Sequence, residues 1–338
     1  MTPRLDRNTL TVKDLSVEFT ADGTIIRPVD GVSLSIRAGE MLGLVGESGS
    51  GKSVTSLAVT GLTDYTGGRV VGGSVHLEGT DILSLASRQR SDVLGRDIGM
   101  IFQQPMRSLN PTMRIGNQVA EVIRRHRRLS KREAWNQAVE MLDRVRIPEP
   151  HKRAHDYPFS FSGGMAQRVM IAMALACQPK LMIADEPTTA LDATVQARVM
   201  DLLRELQQDL DVAVLLITHD LGVASGYCDR IAVMYCGQIV EQGSTADVLM
   251  RPTHPYTRGL LDATPIRGSR ERLLPIVGNV PPAADLPSGC RFHPRCPLSL
   301  PGLCDSALPV LHLDEMGCGD RCIHPESATR LVSEVSAG

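Results

Sequence analysis

The segment Gly46-Glu47-Ser48-Gly49-Ser50-Gly51-Lys52-Ser53 fits G-x-x-x-x-G-K-S at every position. It constrains the fold because it works in one setting only, a tight turn between a buried strand and a helix. That setting is present: residues 41–45 are an unbroken apolar run, and residues 53–62 follow with helical character. The glycines let backbone N–H groups turn inward around α- and β-phosphates, and the helix N-terminus adds positive potential. Lys52 is expected to reach the β- and γ-phosphates and the Ser53 hydroxyl to ligate Mg²⁺, with Val54 completing the binding segment. A second glycine-rich segment, Ser162-Gly163-Gly164-Met165, is also able to grip a phosphate. One of each in a single chain points to a nucleotide site assembled from two molecules, since such sites need both halves facing one another.

The remaining apolar runs fit the same architecture. Residues 10–19 and 32–36 alternate as half-buried strands, joined through a turn at Ala21-Asp22-Gly23-Thr24. Residues 98–102, 181–184 and 213–218 read as buried parallel strands, and helical patterns cover 115–128, 132–145 and 164–177. Strands separated by helices imply an α/β fold with a mostly parallel core sheet, an antiparallel β subdomain and a helical insertion over about 105–177. Residues 231–235 and 238–241 form a late hairpin around Cys236-Gly237. The 338-residue length fits about two domains, and 42% hydrophobic residues suffice for a core. A formal net charge of −2 disfavours a dedicated nucleic-acid binder. No apolar run reaches the ~18 residues of a spanning helix, and residues 1–10 lack the apolar core of a signal peptide. The expectation is a cytosolic protein unless a membrane partner holds it at the bilayer.

Chemistry concentrates at strand ends. Leu181-Met182-Ile183-Ala184-Asp185-Glu186 is an apolar strand ending in two carboxylates, and ligands of open α/β sheets bind beyond such ends. Asp185 is the candidate Mg²⁺ ligand and Glu186 the candidate general base for an attacking water. Gln103 and His219 also stand just past apolar strands. They become candidate γ-phosphate sensors, Gln103 through Mg²⁺ or water and His219 by a direct hydrogen bond, with Gln104 an alternate for Gln103. Phe19, at the end of the first strand, is a candidate for stacking on adenine, set against an ordinary core-facing role. The basic run Arg124-Arg125-His126-Arg127-Arg128 reads first as a solvated helix face and second as a contact for a membrane partner or lipid head groups.

Taken in order, the phosphate loop, Gln103, Ser162-Gly163-Gly164, Asp185-Glu186, Ala190-Leu191-Asp192 and Thr218-His219-Asp220 strongly resemble the ATP-binding cassette superfamily over residues 10–250. The resemblance implies a head-to-tail dimer with two ATP molecules at its interface. In it Ser162, Gly163 and Gly164 of one subunit close on the γ-phosphate bound by the other subunit's Lys52, and Asp192 crosses the interface. The helix opened by the signature favours an anion at its N-terminus. The signature reads Phe161-Ser162-Gly163-Gly164-Met165, without the superfamily's usual final glutamine, and Gln167 stands two residues too late to replace it. With Gln167-Arg168-Val169-Met170-Ile171-Ala172 after it, the signature is similar to that of one ATPase of the oligopeptide and dipeptide importers, whose two ATPases commonly differ.

Beyond about residue 250 proline, glycine and cysteine become frequent, which sets a domain boundary at 255/256. The extension from 256 to 338 is too poor in apolar periodicity to build a large core alone, so a staple is expected. Pro252-Thr253-His254-Pro255-Tyr256-Thr257 and Gly289-Cys290-Arg291-Phe292-His293-Pro294-Arg295-Cys296-Pro297 both resemble the peptide importers' C-terminal extension. Cys177, Cys228 and Cys236 read as small buried hydrophobes. Cys290, Cys296, Cys304 and Cys322 follow C-x₅-C-x₇-C-x₁₇-C, compatible with a [4Fe–4S] cluster, with zinc or free thiols as alternatives and Cys318 as the spare. The reading is therefore an ATPase subunit of a peptide-type importer. Its expected cofactors are ATP and Mg²⁺, and its place is the cytoplasmic face of the inner membrane, held peripherally. Its partners would be a second ATPase in a heterodimer, two transmembrane permease subunits and an extracytoplasmic solute-binding protein. The rival is a soluble cassette ATPase acting on nucleic acid or ribosomes; the transported solute is not readable.

Overall fold

The Met41–Val45 strand is buried along its whole length, as an apolar run without alternation must be when both its faces are covered. The computed structural model describes residues 8–21, 23–189, 191–264, 274–314 and 317–323. Residue 22 of the first turn and Ala190 of the Ala-Leu-Asp motif lie outside the described residues. The chain divides into two compact units.

One unit comprises Met1–Leu10, Ile36–Glu40 and Leu77–Ile217. Its strands Ile98–Ile101, Leu181–Asp185 and Ala213–Thr218 pair in parallel, with Ile101 opposite Ala184 and Ala184 opposite Leu216. This shared register brings the ends of the Ile98–Ile101 and Leu181–Asp185 strands level. The helical part begins with an antiparallel pair, Ile115–Arg127 and Lys131–Arg144. Arg128 closes the first in a left-handed conformation. Ser130 opens the second by accepting from the Glu133 N–H, while the Glu133 carboxylate accepts from the Ser130 N–H. Ile115, Val119 and Ile123 bury one stripe, and Ala134, Ala138 and Leu142 bury the other. Each large aliphatic so placed contributes about 1.5–3 kcal/mol. Beyond the short Pro150–Arg153 helix, Gly163–Leu175 begins one residue earlier than the sequence indicates, because Ser162 caps it. The sequence reading leaves Ala193–Leu210 unassigned; it is a helix capped by Asp192.

The other unit comprises Thr11–Ser35, Met41–His76 and Thr218–Gly338. Here Met41–Val45 pairs in parallel with Arg230–Tyr235. That strand returns as Gln238–Ser244 through Cys236 and Gly237, whose φ values of 43° and 85° build the two-residue turn that suits strand twist. Thr24–Arg37, Asn8–Ala21 and Gly68–Leu77 lie side by side in that order in a separate sheet. After the Thr245–Met250 helix the chain breaks and restarts as Pro255–Asp262. Tyr256 and Phe292 then pack on Tyr235, with ring centroids 4.5 and 5.3 Å away. Further on, Gly319–Asp320 pairs with Gln238–Ser244 and covers that edge.

Candidate nucleotide and cysteine sites

The phosphate loop lies wholly in the second unit. Gly51 caps the Lys52–Thr60 helix at φ 105°, and a Cβ there would stand 2.1 Å from the Pro28 carbonyl oxygen, so only glycine fits. A Cβ on Gly46 would stand equally close to the Met234 carbonyl oxygen, at 2.1 Å. Lys52 is 5% exposed, and its Nζ donates to the carbonyls of Gly46 (2.8 Å) and Glu47 (2.9 Å) and to Ser50 Oγ (3.4 Å). The ammonium thus lies back over the loop. Ser53 is exposed and Val54 half-buried in the first turn of the helix, where N–H groups lack intrahelical partners. Phe19 is half-buried, and its ring lies against Gly68, where a Cβ would meet Phe19 Cζ at 2.6 Å. His219 is exposed immediately after Thr218, and Asp220 beside it caps Leu221–Tyr227 by accepting from the Val223 N–H.

The carboxylates belong to the first unit. Asp185 ends its strand at 8% exposure. Glu186 follows in a left-handed conformation, φ 47°, with its N–H donating to the Ile217 carbonyl at 2.9 Å. Gln103 Nε2 donates to Glu186 Oε2 at 2.6 Å, and Thr189 Oγ1 donates to the same oxygen at 2.8 Å. The sequence put Gln103 on Mg²⁺ or water, whereas here its amide holds the candidate base. Gln104 instead starts the Pro105–Ser108 turn, its carbonyl accepting from the N–H groups of Arg107 and Ser108. Sequence reasoning missed Thr189; its only signal is a hydroxyl three residues after Glu186 in a turn.

Ser162, Gly163, Gly164, Met165, Asp192 and Arg168 line one cavity of about 330 Å³ with Leu191, Val195 and Arg198. Ser162 Oγ accepts from the Met165 N–H at 3.4 Å, and Asp192 Oδ1 accepts from Thr194 and Val195. Both side chains cap helices and stand at the rim of the cavity. Burial, followed by the charges of Arg146 and Arg198, lowers the Arg168 pKa. An anion entering the cavity would relieve that repulsion.

In the extension, Cys290, Cys296, Cys304 and Cys322 all line one cavity, together with His254 and Phe292. Cys318 is not among its lining residues. Burial raises the Cys290 thiol and pushes Cys296 up to about 11. Among the described residues no group of three His, Cys, Asp or Glu side chains is gathered as a single metal ion requires. Neither a zinc site nor an iron–sulfur cluster is shown among the described residues. Cys177, Cys228 and Cys236 are buried, as expected.

Strand, phosphate loop and helix, with a carboxylate pair at the end of a parallel strand, define a P-loop nucleotide-binding ATPase. Residues 29–189 match the family described as ABC transporter, and residues 240–304 match the oligopeptide/dipeptide transporter C-terminal region. The oligopeptide transport ATP-binding protein OppD of Escherichia coli K12 is 50% identical over 302 residues, 89% of each chain. AppD of Bacillus subtilis, also an oligopeptide transport ATP-binding protein, is 47% identical over 93% of this chain and 95% of its own. The dimeric structure of the ATP-binding cassette MJ0796 bound to ADP and Pi superposes with a TM-score of 0.63. It is 28% identical and covers 70% of this chain and 98% of its own. The chain belongs to the ABC transporter ATPases, in their oligopeptide/dipeptide group. No helix among the described residues is long and apolar enough to cross a membrane.

Proposed function

We propose that this chain is the ATP-hydrolysing subunit that powers import of peptides or related small solutes through a separate permease. One observation carries the reading: the cassette is joined to the oligopeptide/dipeptide C-terminal region within one chain. The relatives' names, OppD and the dipeptide transport protein DppD of Haemophilus influenzae, point the same way. They give no support to the rival, a soluble ATPase acting on nucleic acid or ribosomes.

In this reading the loop amides of residues 46–53 and Lys52 bind the phosphates, while Val54 and Phe19 belong to the nucleotide's surroundings. Ser53 and Asp185, with Gln103 as a further candidate, would hold Mg²⁺, which neutralises phosphate charge when bound. Glu186 takes a proton from the attacking water, its carboxylate oriented by Gln103 and Thr189. His219 donates to the γ-phosphate. Ser162, Gly163, Gly164 and Asp192 complete the site of a second ATPase subunit, and the Met165 departure favours a heterodimer. Two permease subunits and an extracytoplasmic solute-binding protein complete the importer, with this chain peripheral on the cytoplasmic face.

Peptide uptake by cells carrying the neighbouring permease genes tests the assignment. Uptake should depend on this chain and vanish with Lys52→Ala; salt-resistant binding to nucleic acid without permeases would contradict it. For the extension, the shared cavity of Cys290, Cys296, Cys304 and Cys322 supports [4Fe–4S] ligation. Anaerobically purified protein should be brown and lose its colour when the four cysteines become serine. Colourless protein with stoichiometric zinc would overturn that assignment.

A further inference from the structure

Two arginines stand next to cysteines of the cavity, within the second unit, and one of them, Arg295, reaches the phosphate loop. Arg295 directly precedes Cys296, and its side chain is 5% exposed. Its Nη1 donates to Glu47 Oε2 at 2.8 Å and its Nη2 to Glu47 Oε1 at 3.2 Å, a forked pair. Its Nε donates to the Val277 carbonyl at 3.1 Å, and its guanidinium stands 5.8 Å from the Tyr235 ring centroid. The Glu47 N–H donates to Tyr256 Oη at 2.9 Å, and Tyr256 is fully buried. Arg291 directly follows Cys290 and donates to the Cys236 carbonyl and to Asp30. The N–H of the next turn residue, Gly237, then donates to the Ser50 carbonyl at 2.8 Å. The loop is thus gripped at two of its residues, 47 and 50, and Lys52 Nζ in turn donates to the Glu47 carbonyl.

Glu47 is the one acidic residue of a loop built for polyphosphate. Left unpaired, its carboxylate would repel the nucleotide it borders. We propose that Arg295 is a positioning residue for the phosphate loop. It turns the Glu47 carboxylate away from bound phosphates while Tyr256 fixes the loop backbone, so nucleotide affinity depends on the docked extension. The inference rests on residues 46–53 being the ATP site, and Lys52→Ala tests that separately by abolishing Mg·ATP binding.

The test is equilibrium binding of Mg·ATP to the full chain, with kcat measured at saturating ATP. Arg295→Gln should raise Kd about tenfold or more, the scale of losing a charge-assisted fork. Its kcat should stay within about twofold, since the group touches no reacting atom. Glu47→Gln/Arg295→Gln should return Kd to within about threefold of the parent, because no carboxylate is then stranded. An unchanged Kd in the single variant overturns the proposal, as does a double variant no better than the single, which would mean lost packing rather than charge. Should Arg295→Gln fail to fold, Glu47→Gln alone decides. Binding at least as tight as the parent supports the role, and binding about tenfold weaker overturns it.

Discussion

In the proposed mechanism hydrolysis turns on Glu186, and Gln103 and Thr189 both donate to one oxygen of its carboxylate. Thr189→Val removes one of those donors without changing shape. It should lower kcat roughly tenfold, about one hydrogen bond's worth, with Mg·ATP affinity unchanged; a loss confined to affinity would remove Thr189 as an orienting group. The placement of Lys52 at the loop's helix and of Asp185 and Glu186 at a strand end was legible, because motif spacing and apolar runs announce it. Thr189 was not, since a turn threonine carries no chemical signature, and Arg295 reaches Glu47 across 248 residues, which periodicity cannot show.

His254 gives a pH prediction at the same scale. It is 1% exposed, its Nδ1 accepts from the Tyr256 N–H, and burial, aided by Arg321, pushes its pKa down to about 3. The unfolded chain takes up a proton near pH 6.5 that the fold refuses, so this contribution is intact above that pH. It falls by up to about 1.4 kcal/mol per unit between pH 6.5 and 3. Buried Glu241 is raised by desolvation and gives the opposite slope above its unfolded pKa. The comparison is therefore with His254→Asn, which keeps a capping acceptor. Urea unfolding should show a shallower fall from pH 6.5 to 5 in the variant; identical slopes would contradict the account.

Among elements, Met41–Val45, Leu181–Asp185 and Ala213–Thr218 were readable because each is buried throughout and so unbrokenly apolar. Gly68–Leu77 was not, because Gly72 and Gly73 interrupt its alternation. Gly73 adopts φ 85° where a Cβ would stand 2.4 Å from the Lys13 carbonyl oxygen, a close approach that glycine permits. The loop-to-helix junction follows the same rule. Gly51→Ala should cost at least about 2 kcal/mol through strain and clash and abolish ATP binding. A variant with parental melting temperature and affinity would show that the Pro28 contact yields freely. The Ala193–Leu210 helix depends on its cap, and Asp192→Ala should cost about 1 kcal/mol by chemical denaturation.

For the whole molecule, composition told where the extension begins but not how it is stabilised. Its apolar poverty suggested a staple. In the fold, Tyr256 and Phe292 join Tyr235 in one aromatic cluster, and Arg295 ties the extension's Val277 carbonyl to Glu47 of the phosphate loop. Those partners lie dozens to hundreds of residues apart in sequence, so only the fold reveals them. The central claim is that the chain binds ATP and that Glu186 directs its hydrolysis. Mg·ATP binding and single-turnover hydrolysis, compared between the parent and Glu186→Gln with the second ATPase subunit and permeases present, test it most directly. The variant should bind ATP as tightly as the parent while hydrolysis falls by about 10²–10⁴, the range of a general base. Near-parental hydrolysis in Glu186→Gln would contradict the account.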